Sequence, residues 1–295
     1  MKKQLVLDSA SFLKKHNLNW NVEKKPLTWV APNGSSKTSP FFGLVRDDNE
    51  KFLGISKDIY TVRQNSEVLE ALMKIPTASG FELEKAGFIG KGEKVYFFIK
   101  NPKGFDINGD EIKRYIFALT SHDRSTDLSF GYSSIVMSCQ NQFNRFYANS
   151  NFKFRHTESS GEKLENIPGL LTEYIHMQDT VDSAFQKFSK TPVTKTLVKD
   201  LKNYLMKLEG PVKDLSTRKQ NILTELDDSI KHQMKEKGNN VWGLFNGITY
   251  FVNHKKNYSQ KKTNANLAGI YIGKGYKMSN MAFDFLTEKL GIEVE

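Results

Sequence analysis

One cysteine in 295 residues removes two classes of protein at the outset. Cys139 has no partner within the chain for a disulfide, and thiolate-rich metal sites need several such residues, so a reducing compartment is expected. Within "SIVMSCQNQF" it reads as a small buried residue and not as a nucleophile. No apolar stretch approaches 18 residues, which argues against a membrane-spanning helix. In the opening "MKKQLVLDSASF", Asp8 breaks the apolar patch before it reaches signal-peptide length, so a cytoplasmic, non-secreted protein is expected. "GKG" occurs at 90–92 and 273–275, but the longer spacing of a Walker loop is missing. His122, His156, His176 and His254 are scattered, with no i, i+4 pairing and no HExxH-like spacing, so a zinc site lacks support. No metal and no cofactor is expected.

What is present is a foldable composition with an uneven charge. Hydrophobic residues make up 38% and aromatics 12%, as in a globular protein. The net charge is +10. Between Lys231 and Lys277 stand nine lysines and a single acid, Glu236, so this stretch carries +8 and the rest of the chain only +2. A surface made only for solubility intersperses both signs.

The pattern along the chain predicts an α+β protein: a mostly antiparallel β-sheet in the N-terminal half, then a helical C-terminal half. "FFGLVRDDNEKFLGI" reads as a hairpin around Asp47–Glu50. "NSEVLEALMKI" reads as a helix capped by Asn65 or Ser66. Gly90-Lys91-Gly92 suits a tight turn between strands, and "FDINGDEIK" a hairpin turn rather than a paired-carboxylate site. After Glu158 the period becomes helical, through Leu170 to Phe188, "TKTLVKDLKNYLMKLE" and "STRKQNILTELDDSIKHQMKEKG", the last stopped by Gly238. "WGLFNGITYFVNH" fits a buried helix or a buried strand. Two modules are expected, 1–158 rich in β-structure and 159–295 helical with a basic segment, with one continuous domain as the alternative.

Several fragments, in order from about Leu18 to His254, resemble a phage- and plasmid-associated family known only as domain of unknown function 932. They are "LNWNVEKKPL", "LGISKDIYTVRQNSEVLEAL", "KAGFIGKGEKVYFFIK", "GDEIKRYIFALTSHDRS", "VMSCQNQF", "FRHT" and "WGLFNGITYFVNH". Members often carry glycine after Ser-His-Asp, where this chain has Arg124. The resemblance implies a viral or plasmid origin and no established activity. In its order of sheet then helices the chain is also similar to phage single-strand annealing proteins of the Redβ/RecT kind, which is analogy of fold and not of function.

Three groups of residues carry candidate chemistry. "TSHDRS" places Ser121, His122, Arg124 and Ser125 in a loop with three readings: a self-bonded turn, a phosphate contact, or a general base oriented by Asp123. "FKFRHT" puts Lys153 and Arg155 on one strand face and aromatics on the other, as a groove for nucleic acid requires. The late basic segment surrounds Tyr258, Tyr271 and Tyr276 with Lys255, Lys256, Lys261, Lys262, Lys274 and Lys277. There lysines can neutralise phosphates and tyrosines can stack on unpaired bases. The sequence therefore points to a protein that binds single-stranded nucleic acid, DNA rather than RNA, with a homo-oligomer that anneals strands as the more specific expectation. Its rivals are a module that binds or inhibits an acidic host protein and a metal-dependent nuclease.

Overall fold

Alternating side chains build two antiparallel sheets before residue 155 and helices dominate afterwards, so the protein is α+β, as its pattern predicts. The computed structural model describes residues 9–74, 80–146, 152–158, 160–208, 215–256 and 265–294. After a short helix α1 (Ser9–Lys15), strands β1 (Val22–Val30), β2 (Ser36–Arg46) and β3 (Phe52–Ser56) form a three-stranded sheet in that order. The β2–β3 hairpin turns through Asp47–Glu50, as expected, with Glu50 at positive φ. Helix α2 (Asn65–Met73) follows. Its N-cap is Gln64, whose backbone N–H donates to Glu67 Oε2 at 3.3 Å. Asn65, expected to cap, is instead buried and bonded elsewhere.

The larger sheet contains β4 (Glu82–Ile89), β5 (Lys94–Lys100), β6 (Phe105–Ile107), β7 (Asp110–Ser121), β8 (Leu128–Val136), β9 (Asn141–Phe146) and β10 (Lys153–Phe154). Its order is β10-β8-β7-β5-β4, with β6 paired to β7 and β9 to β8. Gly90 and Gly92 take positive φ between β4 and β5, and Asn108-Gly109 does the same between β6 and β7. In the second turn Asp106 Oδ1 accepts the Gly109 N–H at 2.7 Å, so this carboxylate serves the hairpin.

Strand periodicity divides the sheet into two apolar faces. Val95, Phe97, Ile99, Ile116, Ala118, Phe130 and Tyr132 face the main core, and Tyr96, Phe98, Tyr115, Phe117 and Leu119 face the other way. The main core is closed by α3 (Ser160–Glu165), α4 (Leu171–Lys190), α5 (Lys195–Met206), α6 (Thr217–Lys237) and α7 (Val241–Tyr250). Every residue of α7 from Val241 to Thr249 is buried, which settles "WGLFNGITY" as a central helix; it runs into a π-helical turn at Phe251–Lys255. Arg114 of β7 pairs with Asp182 and Asp179 of α4, and Tyr132 of β8 donates to Asp182 at 2.7 Å, pinning that helix to the sheet. Two further helices, α8 (Ala265–Tyr271) and α9 (Lys274–Lys289), complete the described chain. One hydrophobic cluster runs from Phe12 to Leu286 and takes side chains from both sides of residue 158.

Candidate nucleic-acid interface

The Ser-His-Asp turn joins β7 to β8 and is tied inward. Ser121 Oγ donates to Thr126 O at 2.7 Å and accepts the Thr126 N–H at 3.1 Å. Asp123 Oδ1 accepts the Ser125 N–H at 3.0 Å, and Lys94 pairs with its other oxygen at 3.1 Å. His122 is fully enclosed: its Nε2–H donates to Asn65 Oδ1 at 3.0 Å, and its ring meets Trp20 edge-on at 5.3 Å. Burial lowers its pKa to about 3, so the ring is neutral near pH 7. Neither Ser121 nor His122 reaches solvent, which corrects the expectation that the whole loop meets phosphate; only Arg124 and Ser125 are exposed.

This turn is the seat of the small sheet. A Cβ on Gly54 of β3 would stand 3.2 Å from Asp123 Cα, so backbone meets backbone there. Arg124 Nη1 donates to Ile55 O at 3.1 Å, and Tyr60 OH donates to Ser121 O at 3.1 Å. Sequence reading found the turn but not its role, because the partners lie some 60 residues away.

The second face of the large sheet is roofed by α8. Tyr271 drops its ring among Tyr96, Phe98 and Phe117, with centroids 5.0–5.4 Å away, and is wholly buried. It is core, not a stacking surface for bases; burial raises its pKa. Tyr276, in the first turn of α9, is partly buried against the Phe146 ring at 5.5 Å and accepts the Phe146 N–H through its hydroxyl at 3.3 Å.

Around this roof the structure gathers cations. β10 continues the line of β9 along β8, with Phe146 opposite Gly131 and Lys153 opposite Ser129. The registers Phe117–Gly131–Phe146 and Leu119–Ser129–Lys153 put Lys153 on the same face as Phe146 and Tyr271. Lys153 and Arg155 are exposed while Phe152, Phe154 and His156 are buried, the division expected from "FKFRHT". Lys256 is partly buried, with Nζ 3.8 Å from Met278 Sδ. Burial and the neighbouring charge of Lys274 lower its pKa. Lys274 and Lys277 are exposed one turn apart on α9. Lys85, which sequence reading passed over, approaches the Tyr271 hydroxyl at 3.4 Å, and burial lowers its pKa. Alternation in "FELEKAGF" groups Lys85 with Phe81 and Leu83 of the main core; a bulge between Leu83 and Lys85 sets it opposite Phe98 on the roofed face instead, so the sequence carried no signal for it.

Lys255 is set apart from this group. It lies over the Tyr250 ring at 5.9 Å and lines a cavity of about 360 Å³ with Glu225, Asp228, Ser229 and His232. Two carboxylates, Glu225 and Asp228, thus stand beside the Lys255 ammonium there. Tyr258, Lys261 and Lys262 lie outside the described residues. Among the described residues no group of three or more His, Cys, Asp or Glu could hold a metal ion, and no helix is long and apolar enough to cross a membrane.

A doubly faced antiparallel sheet, packed on a helical layer and rimmed with lysines around a short roofing helix, defines an α+β protein with a lysine-rich edge. Residues 52–269 match the family described as Domain of unknown function (DUF932), and the chain belongs to that family. No curated protein and no solved structure matches it. The match takes in β3 through most of α8, including Lys153, Arg155, Lys255 and Lys256, and leaves β1, β2 and α9 outside.

Proposed function

We propose that this protein binds single-stranded nucleic acid, DNA in preference to RNA, along the lysine-lined edge formed by β10, the π-helical turn and the start of α9. The supporting observation is Lys256. Its ammonium is partly withdrawn from water beside Lys274, and no ion pair among the described residues neutralises either group. Two cations held together without a carboxylate are relieved by a polyanion, which brings phosphates to both and releases its own counterions. Lys153, Arg155 and Lys277 extend the same edge, and Lys261 and Lys262 lie in the segment between the π-helical turn and α8. Annealing by a homo-oligomer of phage or plasmid origin, working in the host cytoplasm, is the more specific form of this reading. It rests on the analogy in the order of sheet and helices that the sequence suggested, which no matching solved structure supports.

Polarisation binding of the pure protein to labelled single strands and duplexes tests the reading. If about six phosphates are neutralised, log affinity falls against log salt with a slope of roughly −4 for a single strand. Replacing Lys256, Lys274 and Lys277 by glutamine together flattens that slope by about 2, and a slope unchanged by the triple variant moves the binding surface elsewhere. An annealing time course separates a binder from an annealer.

A further inference from the structure

The small sheet leaves one face open, and that face is aromatic. Strand pairing aligns Lys25–Gly43–Ile55, Glu23–Val45–Phe52 and Trp29–Lys37 on it, and Phe41 shares it by alternation with Gly43. The opposite side carries Val22, Leu44 and Arg46, all buried. On the open side Trp29 is 53% exposed, Phe41 39%, Phe52 47% and Ile55 50%. Gly43 lets two side chains lie down across β2: a Cβ there would stand 3.0 Å from the Phe52 ring and 3.2 Å from Leu27. Phe52 is thus held flat by its own sheet with a ring surface still facing water.

We propose that this face is a stacking platform for the unpaired bases of a single-stranded nucleic acid, with Trp29, Phe41 and Phe52 as the rings and Lys37 and Arg124 for the phosphates. The proposal rests on the binding reading above and adds a second contact surface to it. The rings stand on three neighbouring strands, at the levels of Lys37, Phe41 and Val45 along β2, so each can take a separate base. The charge favours a polyanion over an apolar partner. Glu23 is the one carboxylate among the aligned residues, and Lys25 already pairs with it. Lys37, on the same face, and Arg124, bonded to the carbonyl of Ile55 at the β3 edge, pair with no carboxylate among the described residues. Most of the platform lies before residue 52, outside the stretch that matches the family.

The chain carries its own probe. Of its three tryptophans, Trp20 and Trp242 are buried and Trp29 alone is exposed. A base stacked on Trp29 therefore quenches a fluorescence that the other two cannot report. The full-length protein is titrated with a labelled oligothymidylate strand while anisotropy and tryptophan emission are recorded together. The expected result is a quench that saturates with the anisotropy. Trp29→Ala and Phe41→Ala each weaken binding about 5- to 100-fold with melting temperature unchanged. The slope against log salt stays as in the parent, because stacking releases no counterions. An anisotropy rise without quench, together with unchanged affinity in both variants, overturns the platform and leaves the lysine edge standing. Variants that keep their affinity for the strand but change their sedimentation mass overturn it in favour of a contact between copies of the chain. No anisotropy change with the parent protein removes the nucleic-acid reading itself.

Discussion

Burying an imidazole away from opposing charge disfavours its protonation, and His122 shows the effect strongly. Trp20 and Asn65 enclose it, the charges of His156 and Arg46 push its pKa down, and Asp123 opposes them without prevailing. The unfolded chain takes up a proton near pH 6.5, while the folded ring resists it until about 3. Between those values the unfolded state holds the extra proton, so falling pH favours unfolding. The contribution of neutral His122 is complete above about pH 6.5 and is lost by about 1.4 kcal/mol per unit below it. His156 and His16, whose pKa values burial also lowers, act in the same direction. Urea unfolding at pH 7.5 and pH 5.0 measures this. The parent should lose about 2 kcal/mol more than His122→Gln between the two pH values. Equal losses would mean that His122 gains its proton without unfolding the chain.

At the scale of elements, the crossing of α6 and α7 depends on two glycines one helical turn apart. A Cβ on Gly247 would fall 2.5 Å from Ile230 Cα, and one on Gly243 2.3 Å from the carbonyl oxygen of Gly238. Two effects oppose each other in Gly247→Ala. Alanine is the better helix former by about 1 kcal/mol, but a methyl group forced against the Ile230 backbone costs about 1–3 kcal/mol or more. The backbone of α6 cannot step aside as a flexible side chain could, so the clash wins and the variant should be less stable. Chemical denaturation checks the sign: a stabilised Gly247→Ala would show that the helices do not touch there. These elements also show what the residue pattern could and could not disclose. Period-2 and period-3.6 alternation announced the strands, α4, α5 and α6, and the turns at Gly90 and Gly109 announced themselves by residue type. "WGLFNGITY" stayed ambiguous because a helix buried on all sides has no polar face to set its period. Tyr271 was misread for the opposite reason. Lysines flank it in sequence, but the short helix α8 carries it over the sheet, and only tertiary contact reveals that its ring is enclosed. The exposed rings of β1 to β3 went unnoticed because an aromatic strand residue looks the same in sequence whether its face is covered or open.

For the molecule as a whole, the question is whether a β-rich half and a helical half behave as two bodies. Their hydrophobic contacts argue that they do not. Phe143 of β9 packs against Phe185, Phe245 and Phe283 from three different helices, with centroids 5.2–5.8 Å apart. Asn141 of β9 donates to Gln233 of α6 and to Asn246 of α7, and its own Oδ1 bonds His254 in the π-helical turn. Removing the helices would expose one full face of the large sheet, and removing the sheet would expose α7, so neither half keeps its core alone. The two buried tryptophans report on opposite halves, Trp20 beside the Ser-His-Asp turn and Trp242 within α7. With Trp29 replaced by phenylalanine throughout, a Trp20-only and a Trp242-only protein can be unfolded in parallel and compared with the loss of helix seen by circular dichroism. A shared core requires the three transitions to coincide in midpoint and slope. A Trp242 transition that separates from that of Trp20 would instead place a real boundary near residue 158 and restore the two-module description.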